Sequence, residues 1–219
     1  MDYQDFLAQK FIVQDMFKAL GITQVLNQKQ EADDLITRLV FLLKKKYKEI
    51  IITSGDKDFH QLLSGDSVKI WNDSMKQFIT EKNCKALFGY EAKQTVDYLS
   101  LLGDKSDNIP GYRGMGEKKS TELLSKYGSL QAFLDSNDKF PPIDRNKLLE
   151  VIQINRTLID LSFYHSEYKN ELTLDFIGGT SKPKVKLENF NAICRRFNLQ
   201  KFMSGAFTKT FIDLWSLRK

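Results

Sequence analysis

The sequence predicts an α/β fold over its first part, with strands and helices alternating up to about residue 72, followed by a mostly helical region from Glu81 onward. Ile50, Ile51 and Ile52 form an unbroken β-branched run, the pattern of a strand covered on both faces, as in a parallel sheet. Segments with helical spacing of apolar residues flank that run. Beyond residue 81 the apolar period stays helical, and the glycine-rich stretch Gly111 to Gly116 separates two of the helical segments.

In chain order, Phe6, Leu7, Phe11, Ile12, Met16, Phe17 and Leu20 predict a helix over 4–20, stopped by Gly21. Ile22 to Leu26 is a short strand candidate. Leu35, Ile36, Leu39, Val40, Leu42 and Leu43 predict a second helix over 31–46. Its end carries Lys44, Lys45 and Lys46, cations that suit the negative end of the helix dipole. The isoleucine strand follows, and Ser67 to Trp71 is the third strand candidate. Helices are predicted over 81–88, 92–102, 117–126, 129–135 and 144–161. The tail from Glu167 to Lys219 mixes short strand-like and helical pieces around a loop at 178–183. Its Phe197, Phe202, Phe207, Phe211 and Trp215 are spaced for core packing rather than base stacking.

A net charge of +5 and a pI of about 9.0 are compatible with a polyanionic partner without requiring one. The two cysteines, Cys84 and Cys194, stand far apart, and only His60 and His165 could join them in a metal site. That argues against zinc and against a disulfide framework, and a reducing compartment is expected. The polar, acidic N-terminus is unlike a signal peptide. The most apolar stretch, Leu35 to Leu43, is interrupted by Thr37 and Arg38 and is too short to span a bilayer. A cytoplasmic location is expected.

Three acidic clusters stand out: Glu31-Ala32-Asp33-Asp34 at a helix start, Asp56-Lys57-Asp58 after the isoleucine strand, and Asp104 with Asp107 in Gly103-Asp104-Lys105-Ser106-Asp107-Asn108. Singly, each has an ordinary reading, because acids cap helix N-termini and aspartates populate turns. Jointly they point elsewhere. Ligands of open α/β sheets bind beyond the carboxyl ends of strands, where Asp56 and Asp58 sit. A helix start beside that end would add Glu31, Asp33 and Asp34. Carboxylates crowded in this way repel one another and call for cations or shifted pKa values. Hard oxygen donors without His or Cys suit magnesium or manganese. Two such ions about 4 Å apart could activate a water and stabilise the leaving oxygen of a phosphodiester.

Pro110-Gly111-Tyr112-Arg113-Gly114-Met115-Gly116-Glu117-Lys118-Lys119-Ser120 leads into the helical Thr121 to Leu124. Glycines permit close backbone approach, amides at the next helix start can hold a phosphate, and Lys118 and Lys119 add charge along the path of a DNA backbone. The ordinary reading is a tight helix–helix turn with exposed lysines. The length of the pattern favours the first.

These motifs together, with Thr53-Ser54-Gly55 ahead of Asp56, resemble the 5′-nuclease family of flap endonucleases, phage 5′-exonucleases and the N-terminal domain of bacterial DNA polymerase I, over roughly residues 5–165. The resemblance implies a PIN-like parallel-sheet nuclease core over residues 1–80. It further implies a helical helix-hairpin-helix region over 81–165 that binds DNA; beyond the resemblance, a C-terminal segment, 166–219, is expected to pack back on the core. It implies a divalent-metal-dependent 5′-3′ exonuclease or flap endonuclease that hydrolyses DNA near 5′ ends, flaps or junctions in replication or repair. Its location would be the cytoplasm of a bacterium or of a phage-infected host. Glu31, Asp33, Asp34, Asp56, Asp58, Asp104 and Asp107 match the family's metal-site acids, for two Mg2+ or Mn2+ ions. Arg113, Gly114, Met115, Gly116, Lys118, Lys119 and Ser120 match the DNA-gripping hairpin, where the family also holds a potassium ion. Ser120 stands where alanine is common.

The family's opening apolar strand ending in aspartate, a second metal-site aspartate and a basic helical arch have no counterpart in this sequence. The chain is therefore expected to lack its first strand and arch, and the partners expected besides DNA are a missing N-terminal nuclease segment or a DNA polymerase. Two other functions remain open: a non-catalytic binder of branched DNA, and a PIN-type ribonuclease, against which the glycine hairpin counts.

Overall fold

The computed structural model describes residues 2–27, 29–105, 107–136, 138, 143–163, 175–177 and 184–216. The chain forms two compact units, one of residues 1–28 with 174–219 and one of residues 29–173.

In the second unit, α2 (Ala32–Leu43) starts in a reciprocal cap, with the Glu31 amide donating to the Asp34 carboxylate at 3.2 Å. Its Leu35 and Val40 face inward. Strand β2 (Ile50–Thr53) runs parallel to β3 (Val68–Asn72), which pairs Ile52 with Ile70. Strand β4 (Gln77–Ile79) then returns antiparallel to β3. The parallel-sheet core expected from the sequence is therefore not found among the described residues: there the sheet has three strands in the order β2-β3-β4 and is mixed. The reason lies in the turn after β3. Asn72 accepts from the Met75 amide at 2.9 Å, Lys76 adopts φ +52, and the chain doubles back beside the strand it has just left. The reading of β2 as covered on both faces also fails, because Ile52 is 6% exposed and Ile51 48%. As β2 is an edge strand of a small sheet, its pleat sends alternate isoleucines to core and surface.

A 3-10 turn, Asp58–Leu62, leaves the sheet and buries Phe59, His60 and Leu62. Thr80 caps α3 (Glu81–Phe88), accepting from the Asn83 amide, and Gly89 ends it at φ +82. The helix predicted over 92–102 opens as a 3-10 turn, Ala92–Gln94, and continues as α4 (Thr95–Leu102). The Gln94 side chain donates to the carbonyls of Leu124 and Gly128, so it satisfies the end of α5 (Glu117–Tyr127). A short antiparallel pair, β5 (Gly103–Asp104) and β6 (Ile109–Pro110), separates α4 from α5. Helices α6 (Leu130–Asp135) and α7 (Arg145–Ile159) complete the unit. Asp97 of α4 joins them: one oxygen accepts from the Leu130 amide at 2.9 Å and the other pairs with Arg156. Leu101, Leu123, Leu124, Leu130, Phe133 and Leu148 are fully buried around them.

In the first unit, Asp2 caps α1 (Tyr3–Ala19), and β1 (Gln24–Leu26) pairs antiparallel with β7 (Asp175–Ile177). Helices α8 (Leu187–Arg196) and α9 (Gly205–Ser216) flank a 3-10 turn, Gln200–Met203. Met16, Ala19, Leu20, Phe190 and Cys194 form its core, with Phe207 stacked on Phe190. Of the tail aromatics expected to pack inward, Phe207 and Phe211 border this core while Phe197 and Phe202 are exposed. The Trp215 side chain and the 178–183 loop fall outside the described residues. Among the described residues no helix is long and apolar enough to cross a membrane.

Candidate metal centre and hairpin

The three acidic clusters arrive from three separate elements of the second unit. Asp33 and Asp34 occupy the first turn of α2. Asp56 follows β2, and its carboxylate accepts from the Asp58 amide at 3.0 Å, so one acid shapes the turn that presents the other. Buried Phe59 and His60 pull that turn inward and leave Asp58 half-buried. Asp104 lies in β5, and Asp107 in the connection to β6. The connection closes on Asn108 at φ +57, a conformation that asparagine tolerates well.

These acids share one electrostatic environment. Burial, reinforced by the charges of Asp56, Asp104, Asp33 and Asp107, pushes the Asp58 carboxyl up to about 7. Burial also raises Asp33, with Asp56, Glu31, Asp34 and Asp107 adding to the effect, and raises Asp34. All seven predicted acids therefore appear in one web of mutual repulsion. Among the described residues, no three of them converge closely enough to hold an ion. The donors are all carboxylate oxygens, so their chemistry fits a hard divalent cation. His60 and Cys84 lie buried outside this set, and the His60 ring, held neutral by burial with a pKa of about 4, shares a 2.9 Å hydrogen bond with the Tyr90 hydroxyl.

The hairpin packs against the acidic region through its backbone. At φ +75, Gly103 has no room for a side chain, because an added Cβ would strike the Gly111 amide, and a Cβ on Gly111 would strike the Leu102 carbonyl. This contact ties the start of β5 to the glycine segment, and the Tyr112 amide donates to Leu101 at 2.8 Å beside it. Gly114 turns the chain at φ +87, and Gly116 is the N-cap of α5. Arg113, Lys118 and Lys119 are exposed, whereas the Met115 and Ser120 side chains are buried. Lys57, between the two β2-end aspartates, lies 3.9 Å from Glu117 in the first turn of α5. An exposed pair of this kind adds little stability, but it places the hairpin helix one side chain away from the acids.

Two residues that shape this site escaped the sequence reading, Gln61 and Asn155, and His60 was considered there only as a metal ligand. Gln61 donates to the Ile159 carbonyl at 3.1 Å and accepts from the Leu161 amide at 3.0 Å, fastening the Asp58 turn to the end of α7. The partner of each lies 30 or more positions away, so no local pattern announces them.

Comparison with known proteins places these elements in a family. The family model described as 5′-3′ exonuclease, N-terminal resolvase-like domain, matches residues 2–89. The one described as 5′-3′ exonuclease, C-terminal SAM fold, matches residues 90–176. The thermostable DNA polymerase I of Thermus aquaticus is 35% identical over 187 residues, which are 85% of this chain and 22% of that protein. Flap endonuclease Xni of Colwellia psychrerythraea is 30% identical over 173 residues, 78% of this chain and 58% of that protein. The chain thus spans about a fifth of the polymerase and little more than half of the flap endonuclease. A T5 5′-exonuclease structure with bound zinc superposes with a TM-score of 0.56 at 20% identity, covering 75% of this chain and 59% of that one. This likeness corrects the expected fold class: the architecture is that of the 5′-3′ exonucleases, with a small, open, mixed sheet, and not a PIN-like parallel core. With matched models running from residue 2 to residue 176, the chain belongs to the 5′-3′ exonuclease and flap endonuclease family.

Proposed function

We propose that the chain serves as a divalent-metal-dependent, structure-specific nuclease that hydrolyses DNA phosphodiesters at 5′ ends, flaps or junctions in replication or repair. The observation that carries this is the joining of Asp33, Asp56, Asp58, Asp104 and Asp107 in one field of repulsion beside an exposed basic hairpin. In this reading Asp56 and Asp58, with Glu31, Asp33 and Asp34, hold one Mg2+ or Mn2+ ion, and Asp104 and Asp107 serve a second. When bound, such ions neutralise the phosphate and activate the attacking water. The protein's own part is placement: the β2 end and the β5–β6 connection present acids from opposite sides of the sequence to one region. The T5 5′-exonuclease, whose fold this chain shares, has been solved with bound zinc, which fits a divalent-metal reading of the site.

The hairpin would hold the duplex backbone through the free amides at the start of α5 and through Arg113, Lys118 and Lys119. The buried Met115 and Ser120 side chains would support it from below, with a potassium ion at the loop as the family resemblance suggests. The functional division would follow residues 1–80 for metal binding, 81–165 for DNA, and 166–219 as a supporting segment. The polymerase relatives make a DNA polymerase a reasonable partner, and the bacterial relatives fit a cytoplasmic setting.

Replacing Lys118 and Lys119 together by alanine tests the DNA-holding role. Each lysine neutralises about one phosphate, so the slope of log affinity against log salt is expected to fall by about 2. Flap and plain duplex should weaken alike in an anisotropy titration. An unchanged slope would remove the hairpin from the DNA path.

A further inference from the structure

Asn155 sits one turn before the C-terminal end of α7 and is 1% exposed. Its Nδ2 donates to the Ser100 carbonyl at 2.9 Å and to the Pro110 carbonyl at 2.7 Å. Ser100 lies two residues before the end of α4, and Pro110 closes β6. The two acceptors therefore flank the segment 103–110 that carries Asp104 and Asp107, and one amide bridges its entry and its exit. Both partners are carbonyls, so the group that faces them must be the NH2, which settles the amide orientation. The Asn155 Oδ1 is buried with no hydrogen-bond partner among the described residues. An orphaned buried acceptor is a liability for stability, and a leucine of similar size would pack there without one. The two donated bonds are what an asparagine supplies and an apolar residue does not.

One turn beyond Asn155, the end of the same helix is tied to a second acidic element. Gln61, in the 3-10 turn that begins with Asp58, bonds to Ile159 and Leu161. The last turn of α7 and the residues just after it therefore hold both the Asp104–Asp107 segment and the turn that presents Asp58.

We propose that Asn155 is a positioning residue: by clamping both ends of the 103–110 segment to α7, it sets the spacing of Asp104 and Asp107 from Asp58 and with it the affinity for divalent metal. The proposal rests on reading these carboxylates as metal ligands. The test titrates Mn2+ alone into the full chain without DNA, with free Mn2+ read by electron paramagnetic resonance. The Mg2+ concentration for half-maximal flap cleavage is measured in parallel. Asn155→Leu is expected to weaken Mn2+ binding about tenfold or more, as for lost supports of metal ligands, while flap binding in EDTA and the far-ultraviolet circular dichroism spectrum stay unchanged. Leu148→Ala, buried on the same helix without a bond to the segment, should lower stability and leave Mn2+ affinity intact. Parent-like Mn2+ affinity in Asn155→Leu, or an equal loss in Leu148→Ala, overturns the positioning role. If Asn155→Leu does not fold, Asn155→Ser is judged by the same criteria. Asp104→Asn separates the two levels: parent-like Mn2+ affinity there removes the reading of the site itself, whereas a loss there with none in the Asn155 variant removes only the clamp.

Discussion

Asp58→Asn is expected to slow flap cleavage by about three orders of magnitude, roughly 4 kcal/mol of barrier, with flap affinity in EDTA unchanged. The same substitution should make the metal-free protein more stable. Asp58 is the acid driven furthest from its ordinary range, by burial first and then by Asp56, Asp104, Asp33 and Asp107. Its folded pKa of about 7 lies above the unfolded value of 3.8. The sign follows: the folded state holds the proton more tightly, so the favourable contribution is complete below about 4 and is lost as pH rises through about 7. The gain in melting temperature for Asp58→Asn should therefore be largest near pH 8 and vanish near pH 4. Mg2+ should raise the melting temperature of the parent chain and do so far less in the variant. Full cleavage by Asp58→Asn, or a variant less stable at pH 8 than its parent, would take Asp58 out of the metal centre.

Gly111→Ala is expected to cost about 3 kcal/mol or more, the scale of overpacking against rigid backbone, and to lower the melting temperature by about 10 °C for a chain of this size. The added methyl meets the carbonyls of Leu102 and Leu101, which cannot rotate away. Gly114→Ala is the informative contrast. Nothing lies within 4 Å of its Cβ position, so its cost is confined to the strain of φ +87. Thermal denaturation of the two variants side by side decides the matter, and equal melting temperatures would show that the close approach at Gly111 does not hold the β5–β6 segment.

The three acidic motifs were legible because each sits next to a strong local signal, although among the described residues no three of their acids converge closely enough to hold an ion. Asp56 and Asp58 follow an isoleucine run, Asp33 and Asp34 open an amphipathic helix, and Asp104 and Asp107 precede the glycine hairpin. The helices over 81–88 and 117–126 were legible from their period, whereas their N-caps, Thr80 and Gly116, emerged only with the structure. The sheet was misread because three isoleucines in a row look the same on a buried central strand and on an edge strand with one open face. Strand β4 was missed because Gln77, Phe78 and Ile79 make too short a run, although Asn72 and Asp73 ahead of it carry turn chemistry. The clamps by Gln61, Asn155 and Asp97 depend on partners 33 to 100 positions away, and only the folded chain brings them together.

The central claim is that these acids bind divalent metal in order to cut DNA. It is tested most directly by incubating a 5′-flap DNA with the 219-residue chain in Mg2+ or Mn2+, with EDTA as the control. Cleavage at the flap junction that EDTA abolishes is the expected result. Tight flap binding with no cleavage at any concentration of either metal would contradict the claim and leave the chain a binder of branched DNA.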